Sequence, residues 1–270
     1  MSEPLAEAAA ALGRTVVRST AVGGGCITDA RRVELDDGTV VFCKLDAQPP
    51  PAFFAAEAAG LRWLRAADAA RAPEVLAVGE RFLVTEWVEP GAPRQHTAAA
   101  LGRSLAQLHR VGAERFGRFA DTPSYLATLP LPDEPAASGP RSHPAAGGDA
   151  GRNEKRTDSW GAFWIDGRVR PLAEMAVQRG ALPSAVLHTV DRLAERIDDL
   201  AGPPEPPARV HGDLWSGNVH VDVEGAPWLV DPSAHGGHRE TDLAMLALFG
   251  GFDMRTVLAA YEEVAPLADG

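Results

Sequence analysis

The sequence predicts an α+β chain in two lobes: a small β-rich amino-terminal lobe and a larger, mainly helical carboxy-terminal one. Short β-branched and aromatic runs punctuated by glycine and proline fill the first third of the chain. Helical periodicity dominates the remainder, with Leu101, Leu105 and Leu108 on one face and Val186, Val190, Leu193, Ile197 and Leu200 on another. Glu89-Pro90-Gly91 breaks the chain between the two regimes, so the expected lobes are residues 1–88 and 89–270, with a cleft between them.

In chain order, Thr15-Val16-Val17 reads as a short strand, Gly23-Gly24-Gly25 as a turn, and residues 30–35 as a second strand. Asp36-Asp37-Gly38 turns a hairpin into a third strand over 39–45. Pro49-Pro50-Pro51 links it to a helix over 53–67. Residues 75–78 and 81–88 alternate around Gly79-Glu80 as a further hairpin. Residues 130–157 are rich in Pro, Gly, Ala and Ser and read as a flexible insertion. Helical pattern resumes over 160–179, and two more helices are expected over 242–249 and 254–264.

Composition narrows the function classes. Hydrophobic residues make up 45% of the 270, so the chain is globular rather than disordered. A formal charge of −11 argues against binding nucleic acid or an anionic membrane through net charge. No apolar run is long enough to span a bilayer, and the acidic, Ala-rich start lacks the pattern of a signal peptide, so the expected location is cytoplasmic. Cys26 and Cys43 are too few for a disulfide framework. Only Lys44 and Lys155 are lysines among 26 basic residues, which gives weight to a lysine standing where chemistry requires one.

The chemistry concentrates in Val210-His211-Gly212-Asp213-Leu214-Trp215-Ser216-Gly217-Asn218, a polar, turn-like run ahead of the alternating residues 219–223. Asp231 follows the apolar pair Leu229-Val230. Phosphoryl transfer from ATP calls for one carboxylate to take a hydroxyl proton, then an amide and a carboxylate to hold Mg²⁺ against the phosphates. Asp213 suits the first role, and Asn218 with Asp231 the second. Lys44 ends the third strand and Glu57 lies about a turn into the next helix, the order in which kinases place a phosphate-binding lysine and its glutamate. Gly23-Gly24-Gly25 suits either a plain hairpin turn or a loop whose amides meet phosphates. Residues 82–88 suit an edge strand or an interlobe hinge. In the hinge reading the Glu86 carbonyl and the Val88 amide face an adenine edge, with Thr85 behind the ring. Asp242 heads an apolar helical run, as a cap or as a brace for the catalytic loop. His220, His235 and His238 are too irregularly spaced for a zinc site. Cys26 is either a turn residue or an oxidisable thiol in an amide-rich loop, and Cys43 is a packing residue.

Several runs carry a family resemblance. His211 through Asn218 resembles the signature of the fructosamine kinase (ketosamine-3-kinase) family. So does Asp231-Pro232-Ser233 followed by Gly237-His238-Arg239-Glu240-Thr241-Asp242-Leu243-Ala244-Met245 and Leu248-Phe249-Gly250-Gly251-Phe252. Aminoglycoside or choline kinases would share the Asp213, Asn218 and Asp231 skeleton but not the Leu-Trp-Ser-Gly run or the Leu-Phe-Gly-Gly-Phe ending. The resemblance implies a bilobal protein-kinase-like fold and ATP- and Mg²⁺-dependent phosphorylation of the sugar 3-hydroxyl of ketosamines, glycation adducts on small amines or on proteins. The implied role is deglycation repair. It implies that Trp215 offers an aromatic face to the sugar-amine, and that Cys26 could link two protomers, giving a monomer or a redox-sensitive homodimer. The alternatives are a kinase for another hydroxylated amine, such as an aminoglycoside or amino sugar, and a catalytically silent nucleotide-binding scaffold. Two departures stand out. Ser233 occupies a usual alanine position, and the 130–157 segment is longer than expected.

Overall fold

Five antiparallel strands build the amino-terminal sheet: β1 (Val16–Ala21), β2 (Asp29–Leu35), β3 (Val40–Leu45), β4 (Val75–Val78) and β5 (Phe82–Glu86), in the order β1-β2-β3-β5-β4. The structure is a computed structural model that describes residues 2–23, 28–121, 123–131 and 159–268. Side chains alternate across a strand, and β3 uses both faces. Val41, Cys43 and Leu45 pack with Val33, Leu35, Phe82 and Val84 beneath a first helix, α1 (Glu3–Ala11), which adds Leu5 and Ala8. Phe42 and Lys44 point the other way, into the cleft. Arg81 fastens α1 to the sheet through ion pairs with Glu3, at 3.0 Å, and Glu7. The sequence pattern did not signal α1, whose short Ala-rich run carries no strong apolar stripe. Cys43 is a packing residue as expected, and burial pushes its thiol up to about 12.

Helix α2 (Phe53–Arg65) presents Phe54, Ala58, Leu61 and Leu64 to the main core. The turn spacing of those residues leaves Glu57 on the flank that lines the cleft. The main core runs on through α3 (Thr97–Val111), where Leu101, Leu105 and Leu108 are fully buried. It continues through α7 (Glu240–Phe249) and α8 (Met254–Glu262), with Leu243, Leu246, Val257 and Tyr261. Gly102 lets α3 and α8 meet closely, since a Cβ there would lie 2.1 Å from the Val257 carbonyl oxygen.

Between these helices lie α4 (Trp160–Trp164), a π-helical turn (Ile165–Val169), α5 (Arg170–Gln178) and α6 (Ala185–Leu200). The expected stripe on α6 buries Val190 and Ile197 against Ile165 and Ala173, whereas Leu200 is exposed. Three short two-stranded antiparallel sheets complete the lobe. They are β6 (Ser124–Leu126) with β7 (Leu129–Leu131), β8 (Ala208–Val210) with β11 (His235–Gly237), and β9 (Val219–Val221) with β10 (Pro227–Leu229). Pro130 and Leu131, read from sequence as the start of the flexible insertion, belong to β7; residues 132–157 of that insertion lie outside the described residues.

The link between the lobes lies on the β9–β10 hairpin. Gly91 N donates to the Val221 carbonyl at 2.8 Å. A Cβ on Gly91 would sit 2.1 Å from the Asp222 carbonyl oxygen, so only glycine permits this approach. Among the described residues no helix is long and apolar enough to cross a membrane.

Candidate active site

A cleft of about 670 Å³ lies between the lobes. Lys44, Glu57, Asp213, Asn218 and Asp231, which come from four separate elements or loops, all line it, as do Gly23, Glu86, Val88 and Trp215.

Lys44 Nζ lies 2.7 Å from Glu57 Oε1 and 2.6 Å from Asp231 Oδ1. The lysine is almost fully buried, which by itself disfavours its charge. The carboxylates of Glu57 and Asp231 more than compensate and raise its pKa to about 12. Burial raises the Glu57 carboxyl as well. Lys44 draws it down and Asp231 pushes it up, and the balance remains upward because burial is the largest of these influences. Asp231 takes the left-handed conformation (φ 56°), uncommon for a residue with a side chain. Gly60 allows α2 to approach the loop that carries Asp231: a Cβ there would lie 3.2 Å from Pro232 Cγ.

The Asp213 loop is held from three sides. Asn218 Nδ2 donates to the Asp213 carbonyl at 2.8 Å and to Asp213 Oδ2 at 3.0 Å. His211 Nε2 meets the Val230 carbonyl at 2.9 Å, while its Nδ1 accepts from Asp213 N at 3.3 Å. That pair of contacts requires the tautomer with the proton on Nε2. Asp242, only 1% exposed, accepts from the His211 amide at 2.8 Å, the Gly212 amide at 3.0 Å and His109 Nε2 at 3.2 Å. His109 Nδ1 in turn meets the Tyr261 hydroxyl at 2.8 Å. Burial works against the Asp242 charge, but the hydrogen bond and charge of His109, with His211, overcome it and hold the carboxyl below its ordinary range. Asp213 goes the other way. Burial raises it, with smaller upward pushes from Asp231 and Asp242, against the downward pull of His211 and Asn218.

Trp215 is 39% exposed and inclined against Phe249, with ring centroids 6.1 Å apart. Its indole lies over Gly217, where a Cβ would come within 2.2 Å of the ring. Toward the end of β5, His220 Nε2 meets the Val88 carbonyl at 3.1 Å, and Thr85 Oγ1 donates to the Glu86 carbonyl at 3.1 Å. The Glu86 carboxylate turns away to accept from Glu74 N at 2.7 Å. Gly24, Gly25 and Cys26 lie outside the described residues. His220, His235 and His238 do not converge, and no cluster of three or more His, Cys, Asp or Glu able to hold a metal occurs among the described residues.

Ser233 acquires a role the sequence did not disclose. Its hydroxyl donates to the Tyr125 carbonyl at 2.7 Å, and the Tyr125 hydroxyl donates to the Pro51 carbonyl at 2.8 Å. Phe53 packs edge-on against Tyr125, with centroids 5.4 Å apart. The β6–β7 hairpin is thereby tied both to the Asp231 loop and to the entry of α2. His109, Tyr125 and Tyr261 carry no such signal either, because each meets its partners across more than seventy residues of chain, a range at which spacing is uninformative.

Comparison with known proteins decides the family. The fructosamine kinase family model matches residues 3–135 and 144–270. The chain belongs to the fructosamine kinase family. A candidate ketoamine kinase of Thermus thermophilus is 37% identical over 226 residues, 84% of this chain and 72% of that protein. A chloroplastic protein-ribulosamine 3-kinase of Oryza sativa subsp. indica is 29% identical over 263 residues, 93% of this chain and 68% of that one. The crystal structure of a candidate fructosamine-3-kinase from Thermobifida fusca superposes with a TM-score of 0.82 at 38% identity, covering 98% of this chain and 85% of that one. An aminoglycoside phosphotransferase solved with gentamicin shares the fold alone, with a TM-score of 0.59 at 13% identity over 98% of this chain and 83% of that one. The fold is protein-kinase-like, and membership of this family makes the chain an ATP-dependent phosphotransferase.

Proposed function

We propose that this member of the fructosamine kinase family transfers the γ-phosphoryl group of ATP to the sugar 3-hydroxyl of a ketosamine, a ribulosamine or fructosamine adduct on a small amine or a protein. The observation that carries this reading is the convergence of Lys44, Glu57, Asp213, Asn218 and Asp231 on one cleft in a chain of this family. Its relatives are named as ketoamine and ribulosamine kinases.

In this reading Asp213 orients the acceptor hydroxyl. Oδ2 is committed to Asn218, and Oδ1 has no hydrogen bond among the described residues, so Oδ1 takes the proton. The acceptor oxygen forms its bond to the γ-phosphorus as the bond to the bridging oxygen of ADP breaks. Lys44 meets the α- and β-phosphates, held in place by Glu57. The backbone at Glu86 and Val88 faces the adenine, and Gly23, which lines the cleft, faces the phosphates. Trp215 presents its ring to the sugar-amine.

The donor set fits Mg²⁺. Asn218 Nδ2 is spent on Asp213, which leaves Oδ1 as the free donor, and Asp231 adds a carboxylate. Two protein oxygens suit an ion that keeps waters and takes its other ligands from phosphates. When bound, the ion supplies positive charge against the charge developing on the transferring group.

A panel of ribulosamines, fructosamines and aminoglycosides, each incubated with ATP and read by mass shift, tests the proposal. A gain of one phosphate on the ketosamine 3-hydroxyl, lost in Asp213→Asn, is expected. Phosphorylation of the aminoglycosides alone, or wild-type turnover by Asp213→Asn, overturns it.

A further inference from the structure

A second cavity, of about 1010 Å³, adjoins the cleft and shares with it the wall Arg118-Phe119-Ala120. Its charge is unlike that of the whole chain. Five arginines and three carboxylates line it, a local balance of +2 in a protein of formal charge −11. Two of those arginines are neutralised. Arg239 pairs with Glu205, its Nε at 2.7 Å, and Arg118 pairs with Asp121 at 3.0 Å. Arg115 and Arg209 have no carboxylate partner among the described residues.

Arg209 is the more telling of the two. Its Nη1 donates to the Trp63 carbonyl at 2.6 Å, and its guanidinium stacks over the Trp63 ring at 4.5 Å. Trp63 stacks in turn on Phe119, at 4.3 Å and 14°. This stack fixes the guanidinium plane. Arg209 Nε is buried without a hydrogen-bond partner, and Nη2 donates to nothing among the described residues. A guanidinium held in one orientation with Nη2 uncommitted can give a charge-assisted hydrogen bond to a phosphate oxygen.

We propose that this cavity is a binding site for a small phosphate-bearing dianion, held by Arg209 and Arg115. The site is separate from the nucleotide cleft. Two of its walls belong to the catalytic apparatus: Trp63 lies on the helix that carries Glu57, and His109 hydrogen-bonds Asp242.

Calorimetric titration of the full chain with inorganic phosphate, and separately with ribose 5-phosphate, tests this. The same titrations on Lys44→Met exclude binding in the cleft and do not depend on the kinase reading. Saturable binding of at least one probe, retained in Lys44→Met and weakened about tenfold in Arg115→Ala, is expected for one lost charge-assisted contact. Arg115 is exposed and its side chain pairs with nothing among the described residues, so its removal leaves the protein folded. Hydrogen exchange locates the ligand, with added protection expected at residues 112–118 and 205–209. Binding of phosphate alone identifies the free ion as the ligand, and tighter binding of ribose 5-phosphate identifies a phosphorylated metabolite. Absence of saturable binding by both probes, or unchanged affinity in Arg115→Ala, overturns the assignment.

Discussion

Lys44 Nζ lies 2.6 Å from Asp231 Oδ1, an ion pair that joins the amino-terminal sheet to the loop after β10 across the cleft. The same ammonium holds Glu57 at 2.7 Å, so one buried charge sets the spacing of two carboxylates. Lys44→Met leaves Glu57 and Asp231 facing each other without a cation. The expected result is a loss of about 100-fold or more in kcat/KM for ATP, the scale for deleting one preorganised charge contact to a transition state. Glu57→Gln keeps the ammonium and a hydrogen-bond acceptor and is expected to lose less. Steady-state kinetics with ATP varied, beside a thermal melt confirming the fold, measure both, and equal activity in Lys44→Met and wild type would remove the lysine from the mechanism.

How much of this could be read from sequence follows from the range of each signal. The alternation of Val41, Phe42, Cys43 and Lys44 is local, and it placed the lysine on the opposite face from the buried cysteine. The spacing of Asp213 and Asn218 is local as well, and their side chains meet within one loop. Arrangements that depend on three-dimensional closure were not legible. His109 reaches Asp242 across 133 residues, and Ser233 reaches Tyr125 across 108. The π-helical turn at Ile165–Val169 leaves the apolar pattern helical, so the wider turn was invisible within the predicted helix over 160–179.

Asp242 collects three donors with its two oxygens, which makes an amide a poor replacement. In Asp242→Asn, the new NH₂ group faces the His211 or Gly212 amide, donor against donor. A stability loss of about 3 kcal/mol is expected, the scale for breaking a buried, charge-assisted network. Because the His211 and Gly212 amides precede Asp213 directly, kcat is expected to fall while KM for ATP changes little. Urea unfolding and steady-state kinetics on the same preparation check this, and a variant as stable as wild type would show that the brace is dispensable.

Gly217 lies beneath the Trp215 indole with no room for a side chain. Gly217→Ala therefore displaces the ring while leaving Asp213 and Asn218 their mutual hydrogen bond. If the indole receives the acceptor, KM for the ketosamine rises about tenfold, the scale of a lost cation–aromatic contact of about 1 kcal/mol or more, and KM for ATP holds. Varying each substrate in turn distinguishes this from a general loss, in which both constants move together.

His235 gives the fold an acid-sensitive point next to the Asp213 loop. Burial first, and then the positive charge of Arg168, lower its pKa from 6.5 to about 4; the Ser233 carbonyl, which Nδ1 meets at 2.9 Å, and Asp242 oppose the shift. A depressed pKa in the folded state means that the unfolded chain binds the proton first as pH falls. The stability held by the neutral imidazole is complete above pH ~6.5 and is lost progressively toward pH about 4, a range of about 2.5 pH units worth at most ~3 kcal/mol. His235→Leu has no proton to gain. Its unfolding free energy is expected to be lower at pH 7 by about 1 kcal/mol, because the Ser233 carbonyl loses its donor, but to decline less steeply than wild type between pH 6.5 and 4. Urea unfolding across that range decides it: parallel slopes in the two proteins would mean that the acid sensitivity arises elsewhere.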